Sequence, residues 1–200
     1  MWNFSFVIPS IMILLILLGY YFNRPKLPTR INETFIVLLG VDCLVIFSDV
    51  LASAADNHFS YWPEPLLYII NLLFFVLFLA RIFCFFYFTT DVLKMKLSHS
   101  PKQFLAYSAV FLGAEAITLL SPFLHTVFFI GENGYQNGPF YNIIYVVFVF
   151  YILLSLVLIA RHGGHLKKEE RFVAVLFNIV LLAGNLFRFL FPTYLIMHTF

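Results

Sequence analysis

Residues 65–88 read PLLYIINLLFFVLFLARIFCFFYF, and apart from Asn71 and Arg81 every side chain in the run is apolar or aromatic. Wound as α-helix at about 1.5 Å per residue, such a run crosses the ~30 Å hydrocarbon core of a bilayer. The whole composition points the same way. The 200-residue chain is 62% hydrophobic, 20% aromatic and 11% charged, with a mean hydropathy of +0.94. A soluble domain carries about 25% charged and about 45–50% apolar residues. These values imply a polytopic all-α integral protein of the cell membrane, with the lipid bilayer as its first partner.

Five more runs of similar character flank this one, giving six expected spans: Phe4–Phe22, Thr34–Ala54, Pro65–Phe88, Gln103–Leu124, Phe140–Ala160 and Phe172–Phe191. The chain breakers fall between or near the ends of these runs: Pro25 and Pro28, Pro63 and Pro65, Pro101, Pro122, Pro139, Gly163–Gly164 and Pro192. Of the twelve Lys and Arg residues, all but Arg81 and Arg188 lie in the first, third and fifth loops. Basic loops stay in the cytoplasm. The N-terminus and the second and fourth loops are therefore expected outside. Net charge is only +2 and its basic residues are scattered in loops, which gives no nucleic-acid surface. Cys43 and Cys84 both sit within apolar runs and read as small buried hydrophobes. RHGGH (161–165) supplies two histidines where a metal site needs three or four ligands. No metal or cofactor is expected.

After Pro192 the sequence becomes apolar again as TYLIMHTF (193–200). That is about 12 Å of helix, less than half the core. It reads either as a tail lying in the outer interface or, the preferred reading, as the start of a seventh span returning inward in a chain truncated ahead of a cytoplasmic domain.

Polar side chains within hydrocarbon cost several kcal/mol unless partnered, so each marks an inward face. Asp42 and Asp49 share one face of the second span. Residue counting from the cytoplasmic side gives two layers: Asp42 with Arg81 near the inside, and Asp49 with Arg188 and Asn71 near the outside. Asn178 and Asn185 lie on the face of Arg188. Glu115 sits near mid-depth with no basic residue to match it. As structural elements these groups hold the bundle in register. As functional ones, Asp49, Asn71, Glu115 and Arg188 would line an outward-facing ligand cavity, with Asp42, Arg81, Asn178 and Asn185 as intramembrane pairing residues. A protonated, hydrogen-bonded carboxyl is the simpler account of Glu115, and a proton relay or ligand amine contact the bolder one.

Between the fourth and fifth runs lies IGENGYQNGPFYN (130–142). Glu132-Asn133-Gly134 suits a tight reversal with positive φ, so a short extracellular β-hairpin is expected. Pro139 suits the first turn of the fifth span, and Tyr135 and Tyr141 suit an interfacial belt. The stretch FFIGENGYQNGPFYNIIYVVFVFYILL, with Glu132, Tyr135, Gly138, Pro139, Tyr141 and Tyr145 at its matching positions, resembles the multi-span sensory input regions of Firmicutes-type signalling proteins. The similarity extends over about residues 30–195, through DCLVIFSDV, LLYIINLLFF and NLFRFLFP. Where that family often has a basic residue before Gly-Pro, this chain has Asn137; where it often has Gln in the sixth span, it has Asn185.

The resemblance implies seven or eight helices ahead of a diguanylate cyclase (GGDEF) domain, less often a histidine kinase or LytTR-type output. Residues 1–200 would then form one transmembrane sensory domain. It would relay an extracellular or membrane signal, of unidentified chemistry, to an output domain in cis, with homodimerisation open. Neither the GGDEF signature nor a kinase or P-loop motif occurs in the sequence, so catalysis would belong to the output domain. The competing reading is a small transporter or channel, against which stand the lack of an inverted repeat and of paired Gly/Pro-broken helices. An intramembrane enzyme lacks a nucleophile–base pair.

Overall fold

The computed structural model describes residues 7–23, 30–95, 100–132 and 134–190, with side chains undescribed at 7–10, 13, 20 and 184–190. In chain order these form α1 (Val7–Phe22), α2 (Arg30–Asn57), a 3-10 turn (Phe59–Tyr61), α3 (Glu64–Val92) and α4 (Pro101–Leu119). There follow the short α5 (Ser121–Leu124), β1 (Phe128–Gly131), β2 (Gly134–Asn137), α6 (Ile143–His162), a second 3-10 turn (Gly163–His165) and α7 (Lys168–Leu190). The apolar tail 193–200 lies outside the described residues.

Among the described residues, α2, α3 and α6 (the last with its 3-10 extension) are long and apolar enough to cross a membrane. α2 and α3 continue a turn or more past their apolar runs, reaching Asn57 and Val92. Two of the expected boundaries differ. The run Gln103–Leu124 is broken after Leu119, because Pro122 in the first turn of α5 has no N–H to extend the ladder of α4. The fifth run starts its helix at Ile143, not at Phe140. Pro139 lies instead in tight turns closed by Tyr141 N–H to Gly138 O (3.1 Å) and Ile143 N–H to Phe140 O (2.9 Å).

α3 is the hub. It packs against α2, α4 and α6, while α1 lies on α2 and α7 on α6. α2 meets α3 through Ala52 and Ala55 against Leu67 and Ile70; such small side chains let helix backbones approach closely. On its other side, Leu79, Ile82 and Phe86 of α3 interlock with Ala114 of α4 and Val147, Tyr151 and Leu158 of α6. Large apolar side chains such as Leu44, Phe47, Ile69, Val146 and Val180 face outward.

β1 and β2 pair antiparallel, from Phe128 opposite Asn137 to Gly131 opposite Gly134. A two-stranded ribbon has little stability alone, and this one is docked. The Ser121 hydroxyl accepts from Val127 N–H (3.0 Å) and Phe128 N–H (2.9 Å) and donates to Phe128 O (2.7 Å). Tyr68 of α3 accepts from Ile130 N–H (3.2 Å). Phe128 stacks on Phe75 of α3 with ring centroids 5.2 Å apart, and Tyr135 stacks on both. Gly134 adopts φ 88°, with the Phe59 ring 3.1 Å from where a Cβ would be.

At Gly138 an added Cβ would fall 2.4 Å from Thr126 O and 2.6 Å from His125 O, backbone atoms that cannot swing aside. Gly138→Ala is expected to cost roughly 1–3 kcal/mol, which for a chain of this size lowers Tm by several degrees. Gly164→Ala, with nothing within 4 Å, should leave it unchanged. Thermal melts of both variants in the same detergent compare the two directly. Equal melting points would mean that the ribbon yields at Gly138.

Candidate functional site

Arg81 is the sole charge in the middle of α3, and Asp42 the first on the matching stretch of α2. Counted from the end where α2 begins and α3 finishes, Asp42 lies about 18 Å along its helix and Arg81 about 16 Å. The structure brings them together: Arg81 Nε stands 3.8 Å from Asp42 Oδ1. The guanidinium also lies over the Phe78 ring, 4.6 Å from its centroid, a cation–π contact that fixes where the charge sits.

This pair faces a cavity of about 410 Å³. Among the described residues its other walls are Tyr151 of α6 and apolar side chains: Leu38 and Ile46 of α2, Ile82 and Phe85 of α3, and Phe148 and Ile152 of α6. Leu14 of α1 and Phe177 of α7 close the sides, so five helices meet at one space. An apolar chamber with a few convergent polar groups is the usual form of a small-molecule site.

A second ion pair ties the same two helices near that end. Arg30 Nε lies 3.0 Å from Asp91 Oδ1, and the Arg30 guanidinium also donates to the Tyr87 hydroxyl. Sequence reading took Arg30 only as a loop charge. The signal available was a pair of opposite charges at adjoining ends of consecutive helices. Tyr151 was missed as well. Its hydroxyl donates to Tyr107 O (2.8 Å) and accepts from Phe111 N–H (3.1 Å), the two groups of α4 that an α-helix joins to each other. Tyr151 thereby bridges α6 to the backbone ladder of α4, and its ring lines the cavity. Nothing short of the fold announces that contact.

The other sequence-derived residues are placed as follows. Asn71 donates to Asp56 Oδ1 (3.0 Å), in the last turn of α2 and just past the expected span Thr34–Ala54. Asp49 lies two turns before Asp56 on α2 and is half-buried. Glu115 is buried on α4, and among the described residues neither carboxyl oxygen has a hydrogen-bond partner. Asn178 of α7 donates to Ala174 O (2.9 Å). Asn185 and Arg188 fall within α7, but their side chains lie outside the described residues.

Near the ribbon, Glu132 and Pro139 are exposed, Gly138 is buried, and Tyr141 packs edge-on against Phe75 and Tyr145. The Tyr135 hydroxyl donates to Asn137 Oδ1 (2.9 Å). Burial holds its phenol well above the ordinary value of 10, with Tyr141, Asp56 and Tyr145 adding to the effect.

Compared with known proteins, the chain matches no family model, no curated protein and no solved structure.

If the Asp42–Arg81 contact supports the packing of α2 on α3, then Asp42→Arg and Arg81→Asp should each cost about 2 kcal/mol or more, since each sets like charges together in a poorly hydrated space. The double exchange should recover most of the loss. Yield and Tm of the monodisperse protein measure both effects; a double variant no better than the singles would dismiss the pair as a structural contact.

Proposed function

We propose that this chain is the membrane-embedded sensory region of a signalling protein, crossing the bilayer six times, with its N-terminus outside. The observation that carries the reading is the cavity at the meeting of five helices, lined among the described residues by one ion pair, Tyr151 and apolar side chains. Occupancy of such a space repositions whatever walls it. One wall is Phe177 of α7, the helix that begins at Lys168 beside the basic loop expected in the cytoplasm. A change in the cavity is thereby handed to the end of α7 where an output domain or partner would read it. The resemblance of the 130–142 stretch to sensory input regions supports a diguanylate cyclase as that output. By the distribution of Lys and Arg, the ribbon of β1 and β2 faces outside, packed on the start of α3.

A cavity with a charged pair also suits a transporter, and the two readings separate by what moves. In a sensor, filling the cavity alters the cytoplasmic loop; in a transporter it blocks passage.

Orientation is tested with single cysteines in a background lacking Cys43 and Cys84. Glu132→Cys should react with a membrane-impermeant maleimide in intact cells, and Lys167→Cys only after permeabilisation. The reverse pattern would invert the proposed topology. For the relay, an environment-sensitive fluorophore on Lys167→Cys should shift its emission when Ile46→Trp fills the cavity of the nanodisc-embedded chain. An unmoved emission in a correctly folded variant argues against sensing.

A further inference from the structure

We propose that the turn between α6 and α7 binds an anionic phospholipid, its phosphate held by Arg161, Lys168 and Arg171 and its acyl chains lying along the same two helices. The inference needs only that the chain be embedded in a bilayer. Position is the first ground. Arg161 directly follows the apolar run 143–160, and Arg171 directly precedes the one that opens at Phe172. α6 ends at His162 and α7 begins at Lys168, so the chain reverses over 163–167 and returns the two arginines to about the same depth. The Arg171 side chain lies back across that turn, its Cδ and Nε 3.7 Å from where a Cβ on Gly163 would stand. Arg161, Lys168 and Arg171 are all exposed. Cations just beyond the end of an apolar run sit at the level of the lipid headgroups.

Charge is the second ground. With Lys167, the segment 161–171 holds four basic residues against Glu169 and Glu170. Glu170 is committed to its own helix, where its carboxylate accepts from Lys167 N–H (3.0 Å) and suits the N-terminal dipole. Every Asp and Glu of the chain lies among the residues with described side chains. None of them forms an ion pair with Arg161, Lys167, Lys168 or Arg171; among the described side chains the pairs are those of Arg30 and Arg81. Basic groups gathered with no carboxylate on them attract an anion from outside the chain.

The apolar surface beside these charges is the third. Val157 of α6 and Phe172, Val173 and Leu176 of α7 are exposed. A diacyl lipid covers them while its phosphate takes directional hydrogen bonds from the guanidinium groups. A soluble phosphate covers none of them. Charge complementarity selects the anionic headgroup, because the choline of phosphatidylcholine brings a further cation to a site already rich in them. The turns at the other end of the bundle, 58–63 and 125–142, contain no Lys or Arg, so the site belongs to one leaflet.

The test is native mass spectrometry of the full chain, released from micelles that hold equal amounts of palmitoyl-oleoyl phosphatidylglycerol and phosphatidylcholine. Phosphatidylglycerol should be retained at least fivefold over phosphatidylcholine. Arg161→Gln combined with Arg171→Gln should lower its retention at least tenfold and leave phosphatidylcholine unchanged. Lys94 and Lys102 are exposed at the same end of the bundle, past α3 and in the first turn of α4. Lys94→Gln with Lys102→Gln removes as much charge and should lower retention less than twofold. Glu169→Gln should raise it, a direction that unfolding cannot produce. A large excess of inorganic phosphate should leave it as it was.

Equal retention of the two lipids would mean that no anion is selected. Equal losses from the two double variants would reduce the preference to diffuse charge at that end of the bundle, and displacement by phosphate would make this a site for a soluble anion. Each result would overturn the assignment. The sensory reading fails separately: an unmoved fluorophore on filling the cavity leaves the lipid site standing, and loss of the lipid site leaves the cavity as it was.

Discussion

A charged or strongly polar side chain set among apolar helices must find a partner, and that requirement governs how this chain packs. Arg81 and Asp42 meet on facing turns of α3 and α2, and Arg30 meets Asp91 nearer the end of the same helix pair. Asn71 meets Asp56 near the other end. With three such contacts spaced along it, the α2–α3 pair has its register and its rotation fixed. A slip by one turn would part these partners across the two helices. Everything else is placed relative to that pair: α1 lies on α2, α4 and α6 on α3, and α7 on α6.

This is packing with the usual contrast weakened. Leu, Ile, Val and Phe occur on both inner and outer faces, so hydrophobicity does not say which way a helix turns. The buried set instead includes Ser48, Ser53, Asn71, Thr89, Thr90, Ser108, Thr118 and Ser155, while Leu44, Phe47, Ile69 and Val157 face out. Small and hydroxyl-bearing side chains allow close approach, and several return their hydroxyls to a preceding carbonyl of their own helix, as Ser48 does to Val45 and Thr118 to Ala114. The last described helix is different. α7 opens with the charged KEER segment and presents Phe172, Val173 and Leu176 outward, so it is held mainly through α6.

How much of this could be read beforehand follows from the same physics. Long apolar runs announce helices, and α2, α3 and α6 are plain in the sequence. Depth along a helix is legible too, because it is only residue counting. Rotation about the helix axis and the true ends of the helices are not. Asn71 was matched by depth to Asp49, but α2 continues to Asn57 and carries Asp56 to the Asn71 amide instead. Pro139 was read as the opening of a helix because proline suits a first turn. Gly138, however, is locked under the carbonyls of His125 and Thr126, and the chain must complete its turns before a helix can start. The cavity was out of reach for a further reason: its walls come from five helices, and no local pattern encodes where five helices leave a gap.

Tyr151 shows how that gap is joined to the remainder of the fold. Its ring borders the cavity, while its hydroxyl sits between Tyr107 O and Phe111 N–H on α4. These two bonds make the local geometry of α4 depend on where α6 holds that ring. The same turn of α4 leads on to Glu115 and then to the break before Ser121, whose hydroxyl anchors β1. The chamber and the ribbon are thus linked through contiguous packed contacts and not through a mobile segment. Such a chain of contacts transmits only if one of its members has two stable arrangements. The element best suited to that is the Tyr151 bridge, because it is a side-chain contact onto two groups of α4 that an α-helix joins to each other without it.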